Sequence, residues 1–190
     1  QSKTKPVQLM FLKDTFLVFH EATLKFKIIE LPYVKNELSM FVLLPDDISD
    51  NTTGLELVER ELTYEKLAEW TKPDNMIRAE VDLYLPKLKL EENYDLKSTL
   101  SSMGLQYAFD PTQADFTGMS VKKELCLSKV IHKAFVEVNE EGTEAAAATG
   151  ILVMRSKPPT MTFKANHPFL FFIRHNKSRT ILFLGRICSP

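Results

Sequence analysis

Residues Glu140 to Thr149 read EEGTEAAAAT and run directly into Gly150 to Pro159, GILVMRSKPP. Alanine is the best helix former. Yet Ala145, Ala146, Ala147 and Ala148 stand between an alternating stretch that ends at Val138 and the Pro158-Pro159 pair, which no helix crosses. Local propensity therefore predicts a short exposed helix or a flexible loop. The same residues carry almost no side-chain bulk, so they can also enter a sheet between existing strands without overpacking it. Extended from Gly142 to Arg155, the segment would reach roughly 46 Å at about 3.3 Å per residue. Flanked on both sides, its backbone would gain ladder hydrogen bonds of about 1 kcal/mol each, on the order of 10 kcal/mol in all. One segment thus has two available states, separated by enough free energy to drive a one-way change.

Working outward, Val130 to Val138 alternates as a strand. Val130, His132, Ala134, Val136 and Val138 share one face and Ile131, Lys133, Phe135 and Glu137 the other, which puts His132 among small apolar residues. On the far side, Phe169 to Ile173 (FLFFI) and Thr180 to Ile187 (TILFLGRI) read as two buried strands joined by the turn-like His175-Asn176-Lys177-Ser178. Earlier, Lys25 to Leu31 and Leu38 to Leu44 are rich in β-branched and aromatic residues, and Pro32 to Glu37 supplies the turn of an antiparallel hairpin. Leu55, Val58 and Leu62 recur at helical spacing, as do Tyr64, Leu67 and Ala68 behind an N-cap at Thr63. Val81 to Leu85 alternates as a strand, and Tyr94 to Met103 reads as a helix stopped by Gly104. Strands come in runs and not in βαβ alternation, which predicts an α+β fold with mainly antiparallel sheet.

With 190 residues, 44% hydrophobic and 26% charged, the chain suits one globular domain with a sizeable core. A formal charge of −1 lacks the excess of basic residues that a nucleic-acid binder carries, so nucleic acid is not an expected partner. No apolar run approaches the roughly 18 to 20 residues of a membrane span. Cys126 and Cys188 show no CxxC or Cys/His spacing, which points to buried free thiols and to neither a metal site nor a disulfide framework. No metal or other cofactor is expected. No GxSxG elbow or other nucleophile signature accompanies the serines and histidines, so the chain is not expected to be an enzyme. It begins Gln1-Ser2-Lys3 without an initiator methionine or signal peptide, as a piece of something longer would. Two sequons, Asn51-Thr52-Thr53 and Asn176-Lys177-Ser178, would matter only in a secreted protein.

The order of Glu140 to Thr149 behind a strand containing His132-Lys133, followed by Asn166-His167-Pro168-Phe169-Leu170-Phe171-Phe172-Ile173-Arg174-His175-Asn176-Lys177, resembles the serpins. Gly185-Arg186-Ile187-Cys188-Ser189-Pro190 is similar to the ending of the ovalbumin-type intracellular (clade B) branch of that family. Leu31-Pro32-Tyr33, Leu43-Leu44-Pro45, Leu85-Pro86-Lys87 and Ala114-Asp115-Phe116-Thr117-Gly118-Met119 match in the family's order. The resemblance implies an α+β serpin fold of mainly antiparallel sheets, short helices and a mobile reactive loop at about residues 140–160. Residues 1–190 would be the C-terminal part of a single serpin domain. The N-terminal helices and the first three strands of the large sheet would then be missing. In serpins the loop inserts between the third and fifth strands of that sheet, and Val130 to Val138 would be the fifth. Alone, such a piece is not expected to inhibit anything.

The activity so implied is serine protease inhibition by a suicide-substrate mechanism: the loop is cut as bait, an acyl-enzyme forms, and the loop inserts as a strand before deacylation. This is among the familiar examples of strand addition and released strain. Small hinge residues mark inhibitors in this family, and Thr143, Ala145, Ala146, Ala147, Ala148 and Thr149 fit that pattern within the hinge Glu140, Glu141, Gly142, Thr143, Glu144 to Thr149. Glu144 falls on the alternate face, where solvent can receive it. Counting from Gly142 puts the cut after Ser156, whereas counting back from His167-Pro168-Phe169 puts it after Arg155. Arg155-Ser156 is the favoured reactive bond, because a long cation suits the acidic pocket of trypsin-like proteases. Met154 keeps elastase-like and chymotrypsin-like targets open. Glu140 is similar to the acidic partner of Lys87 at the top of the large sheet, and His132 to a histidine that bonds a polar partner from the N-terminal half. The implied partners are a target serine protease, or a cysteine protease, and the N-terminal half of the same serpin, with no membrane. The implied location is cytoplasmic, with nuclear residence or release without a cleaved signal peptide as variants. A non-inhibitory storage, chaperone or chromatin-associated role is the alternative.

Overall fold

Strand β1 (Leu9–Glu21) serves two partners in turn: Leu9 to Val18 pair with β4 (Ile77–Pro86), and Leu17 to Glu21 pair with β2 (Phe26–Pro32), both antiparallel. In the computed structural model, the described residues are 6–46, 54–121, 124–139 and 160–188. They fall into two units, one from residues 1–88 and 138–190, the other from 89–137.

In the first unit the expected hairpin is present. β2 and β3 (Leu38–Pro45) pair from Phe26↔Pro45 to Pro32↔Ser39, and the turn uses left-handed backbone at Lys35 (φ 64°) and Asn36 (φ 55°). Strand β7 (Thr160–Lys164) lies parallel to β4, and β8 (Phe169–His175) and β9 (Thr180–Ile187) extend the other end. The seven strands run β7-β4-β1-β2-β3-β8-β9. β3 is buried on both faces, the continuous apolar pattern of a covered central strand. β9 differs from the sequence expectation: Leu182, Phe183 and Leu184 are exposed and Ile187 is its buried residue. It ends the sheet order, so only one side of its backbone finds a partner strand here.

Helices α1 (Leu55–Glu61) and α2 (Tyr64–Trp70) cover one face of this sheet. Thr63 accepts a hydrogen bond from the Lys66 backbone N–H at 3.2 Å, the N-cap that the sequence predicts. Leu55, Val58, Leu67 and Trp70 pack on Phe26, Ile28, Phe41, Leu43, Leu170 and Phe172. Each such fully buried side chain contributes about 1.5–3 kcal/mol. Trp70 meets Phe26 edge-on at 4.8 Å, and Phe41 stacks on Phe172 at 4.7 Å. The Asn176 amide nitrogen donates to the Asn36 carbonyl at 3.0 Å and to Ser39 Oγ at 2.8 Å, tying the β8–β9 turn to the hairpin turn. That sequon nitrogen is therefore committed to the fold.

The second unit holds most of the two-stranded sheet of β5 (Leu88–Asp95) and β6 (Ile131–Val138); Leu88 and Val138 are counted with the first unit. Tyr94 and Asp95 end β5 and do not open a helix, correcting the boundary read from sequence. Asp95 Oδ1 instead accepts from the Lys97 backbone N–H at 3.1 Å, and α3 (Lys97–Ser102) starts there. Gly104 (φ 107°) stops it as expected: Gly104 N–H bonds Ser101 O at 3.1 Å and Leu105 N–H bonds Leu100 O at 2.9 Å, the paired bonds of a Schellman cap. Cys126 is half-buried and Cys188 exposed, both as free thiols, so the expected burial does not hold.

Candidate functional site

The residues assigned to the hinge, Glu140 to Thr149, and to the reactive bond, Arg155 and Ser156, lie outside the described residues. Their flanks are described. On one side β6 keeps the alternation that the sequence predicts, with Ala134 and Val136 half-buried, Val138 buried, and Ile131, Lys133, Phe135 and Glu137 exposed. His132 departs from the expectation: it is exposed, and its ring stacks near Tyr94 at 6.3 Å between centroids. It lies at the start of the strand, before burial sets in at Val138. Lys133 pairs with Glu91, and Lys89 lies over the Phe135 ring at 5.7 Å, so β5 and β6 are also joined through side chains. Among the described residues, sheet order gives β6 one strand neighbour, β5.

On the other side, β7 takes up the chain at Thr160. Thr160 pairs with Glu80, and the strand runs to Lys164 beside Tyr84. Its exit is pinned: Ala165 N–H bonds Tyr84 O at 2.9 Å, and His167 Nε2 donates to the Pro45 carbonyl at 2.7 Å. Phe169 follows, fully buried. The His167-Pro168-Phe169 run thus locks the connection between β7 and β8 against the end of β3. Lys87 is exposed just beyond β4, with its backbone N–H bonded to Gln8 O at 3.1 Å.

The seven-stranded sheet also presents a feature that sequence reasoning missed, because no strand was assigned before Lys25 or at Thr160–Lys164. Registers across β1, β4 and β7 align Thr15, Glu80 and Thr160, then Lys13, Asp82 and Thr162, then Phe11, Tyr84 and Lys164. The alternate residues Ala79, Val81, Leu83, Leu85 and Phe163 are buried, so these three rungs form the solvent face. Phe11 is 57% exposed and packs its ring at 5.0 Å from Tyr84, over which Lys164 sits at 6.0 Å. Lys13 lies 3.0 Å from Glu80 and 3.6 Å from Asp82. The hydrogen bond to Glu80, with the charges of Asp82 and Glu80, holds its ammonium above the usual lysine range.

A cleft of about 770 Å³ opens beside the hairpin turn, lined by Tyr33, Arg78, Arg174, Arg179 and Glu30 among others, with no Ser, Cys or His in its lining. Among the described residues, no group of three His, Cys, Asp or Glu is placed to hold a metal, and no helix is long and apolar enough to cross a membrane.

Comparison with known proteins gives one consistent result. The family model described as serpin (serine protease inhibitor) matches residues 1–190. Serpin B10 of Homo sapiens is 55% identical over 191 aligned positions, covering 100% of this chain and 47% of that protein. Leukocyte elastase inhibitor of Equus caballus is 54% identical over 188, covering 98% and 50%. A solved structure described as a tumour suppressing serpin matches with a TM-score of 0.85 at 42% identity, covering 100% of this chain and 48% of that one. The chain therefore spans about half the length of the curated relatives it matches.

Proposed function

The chain belongs to the serpin family, and on that premise we propose that it is the C-terminal half of a clade B serine protease inhibitor acting by loop insertion. The observation that carries this reading is the hinge: from Thr143 to Thr149 every residue except Glu144 is Ala or Thr, small enough to enter a sheet without overpacking it. A protease cutting at Arg155-Ser156 would attack the Arg155 carbonyl and release the Ser156 amine, leaving an ester between its serine and Arg155. The amine side stays with β7, anchored through Glu80 and His167. The acyl side carries the hinge, whose insertion beside β6 adds ladder bonds worth on the order of 10 kcal/mol. Displacing the protease's own active-site elements then traps the ester.

Lys87 and Glu140 form the gate in this reading. An exposed pair of that kind contributes about 0–1 kcal/mol, so it steadies the point of entry more than the fold. His132, exposed on β6, awaits its partner from the N-terminal half. Arg155 makes a trypsin-like protease the target, and similarity to a leukocyte elastase inhibitor gives Met154 its weight as the competing bait residue. The second reading is a non-inhibitory serpin with a storage, chaperone or chromatin-associated role; similarity to a protein described as a tumour suppressing serpin favours it. Incubation of the full-length protein with trypsin decides between them. An SDS-resistant covalent complex is expected, and a cleaved loop with no complex refutes inhibition.

A further inference from the structure

Asn176 opens a sequon, Asn176-Lys177-Ser178, in the turn between β8 and β9. An N-glycan attaches through the side-chain amide nitrogen of such an asparagine. In this fold that nitrogen has no hydrogen to spare. It donates to the Asn36 carbonyl at 3.0 Å and to Ser39 Oγ at 2.8 Å, with Asn36 Oδ1 a further acceptor at 3.2 Å. Chemistry fixes the orientation of the amide: the Asn36 carbonyl only accepts, so nitrogen and not oxygen must face it. A sugar carbon in place of either hydrogen would sit about 1.46 Å from the nitrogen, on a line where the acceptor oxygen stands at 2.8 or 3.0 Å. Roughly 1.3–1.5 Å would then separate carbon from oxygen, where such atoms in contact stand about 3.3–3.6 Å apart.

The surroundings leave no slack. Ser39 is 0% exposed, and the Asn176 backbone N–H bonds Glu37 O at 2.8 Å. Leu38 and Ser39 pair with His175 and Arg174, so the tie sits where the β3–β8 ladder meets its turns. Swinging the amide away would strand Ser39 Oγ in the interior, the costly way to lose a hydrogen bond. Ser178 is committed as well: its hydroxyl donates to Thr180 Oγ1 at 2.9 Å and lies 2.7 Å from His175 Nδ1. A transferase that needs Asn176 and Ser178 together finds neither free once this turn has closed. All of these bonds lie within the chain and hold whichever surfaces a longer protein covers. Glycan addition and folding therefore exclude each other, and whichever comes first on a given chain prevents the second. We infer that the Asn176 sequon is a one-way folding switch: a glycan on Asn176 blocks closure of the β8–β9 turn onto the β2–β3 hairpin. The chain then completes this fold only where no N-glycan is added to it.

The test carries the full-length protein behind a cleavable signal peptide into the secretory pathway of cultured cells and compares secreted with retained chains. The peptide containing Asn176 is read by mass spectrometry after enzymatic deglycosylation in heavy-oxygen water, which marks a formerly glycosylated asparagine as labelled aspartate. Glycan is expected on Asn176 in the retained, protease-sensitive fraction and absent from Asn176 in the secreted, protease-resistant one. Ser178→Ala removes the acceptor signal while leaving the Asn176 amide in place. Its ratio of secretory to cytosolic yield should rise above the parent's, and taking the ratio corrects for any stability lost with the Ser178 bonds. Chains glycosylated at Asn176 that are secreted with the urea midpoint of the cytosolic protein, followed by Trp70 fluorescence, overturn the switch. So does an Asn176 free of glycan in both fractions, because an acceptor that is never used filters nothing, and so does an unchanged yield ratio for Ser178→Ala. The switch acts on folding, so it stands or falls apart from protease inhibition.

Discussion

Replacing Gly185 by alanine tests how tightly β8 and β9 are joined. Gly185 sits opposite Phe171 in the β8–β9 register, and a Cβ built on it would lie 2.4 Å from Cε1 and 2.6 Å from Cζ of that ring. Ordinary contact begins at 3.4 Å, so either ring or strand must shift by 3.4 − 2.4 = 1.0 Å. The ring has little room, since Phe171 is 2% exposed and its partner on the other side, Val42, is fully buried. Overpacking of this kind costs about 1–3 kcal/mol, and an off-rotamer ring adds about 0.5–1.5. Gly185→Ala should therefore destabilise the protein by about 3 kcal/mol, and lower Tm by roughly 6–12 °C for a domain of this size. The single tryptophan, Trp70, is 7% exposed against the same sheet, so urea unfolding followed by its fluorescence reports the change. Gly118→Ala is the control: no atom lies within 4 Å of its Cβ position, and its effect should stay within about 0.5 kcal/mol. Adding Phe171→Leu to Gly185→Ala should return part of the loss, a coupling that a double-mutant cycle isolates. A Gly185→Ala protein as stable as its parent would refute the steric argument.

Three further expectations bear on the loop, the acid limb and a helix end. Thr143→Arg places bulk and charge in the hinge, so the full-length protein should turn from inhibitor to substrate, with cleaved loop replacing SDS-resistant complex on a gel. Inhibition that survives the change would mean that hinge insertion is not the mechanism. Burial works against the ionised form of Asp46, but His20 Nε2 at 3.0 Å and Lys27 Nζ at 3.1 Å outweigh it and hold its pKa below 3.8. A folded pKa below the unfolded one means that the stabilisation is fully present above pH 3.8 and is lost as pH falls through the folded value. Acid titration of urea midpoints should show this limb in the parent and a weaker one in Asp46→Asn; identical limbs would contradict the pairing. Thr63→Ala removes the cap on α2 and should cost about 1 kcal/mol, with Thr63→Ser keeping most of it. Equal loss from both would point to something other than the hydroxyl.

The parts of the fold legible in the sequence are those written in neighbouring residues. Thr63 capping Lys66, Gly104 closing α3 and the hairpin around Lys35-Asn36 rest on chemistry that operates within a few residues, and each appears where that chemistry puts it. The small-residue run from Thr143 to Thr149 is a property of composition and lies outside the described residues. Strand β7 and the first part of β1 escaped notice because their partners lie far away in the chain: Thr160 pairs with Glu80, and Leu9 with Pro86. Asp95 shows the boundary problem in one residue, since it ends a strand and also accepts the first hydrogen bond of the helix behind it.

By itself, then, the sequence determined the α+β class and the family, both of which depend on residue order alone. Tertiary structure decided which apolar side chains are hidden. Phe171 and Phe183 look equivalent on paper, yet one is 2% exposed and the other 39%, because β8 has strand neighbours on both sides and β9 on one. The same holds for His132, read as facing small apolar residues and found exposed, and for Phe11, whose position on a solvent face follows from its register with Tyr84. Periodicity says that a strand has two faces. Only pairing, set by contacts distant in sequence, says which face meets water.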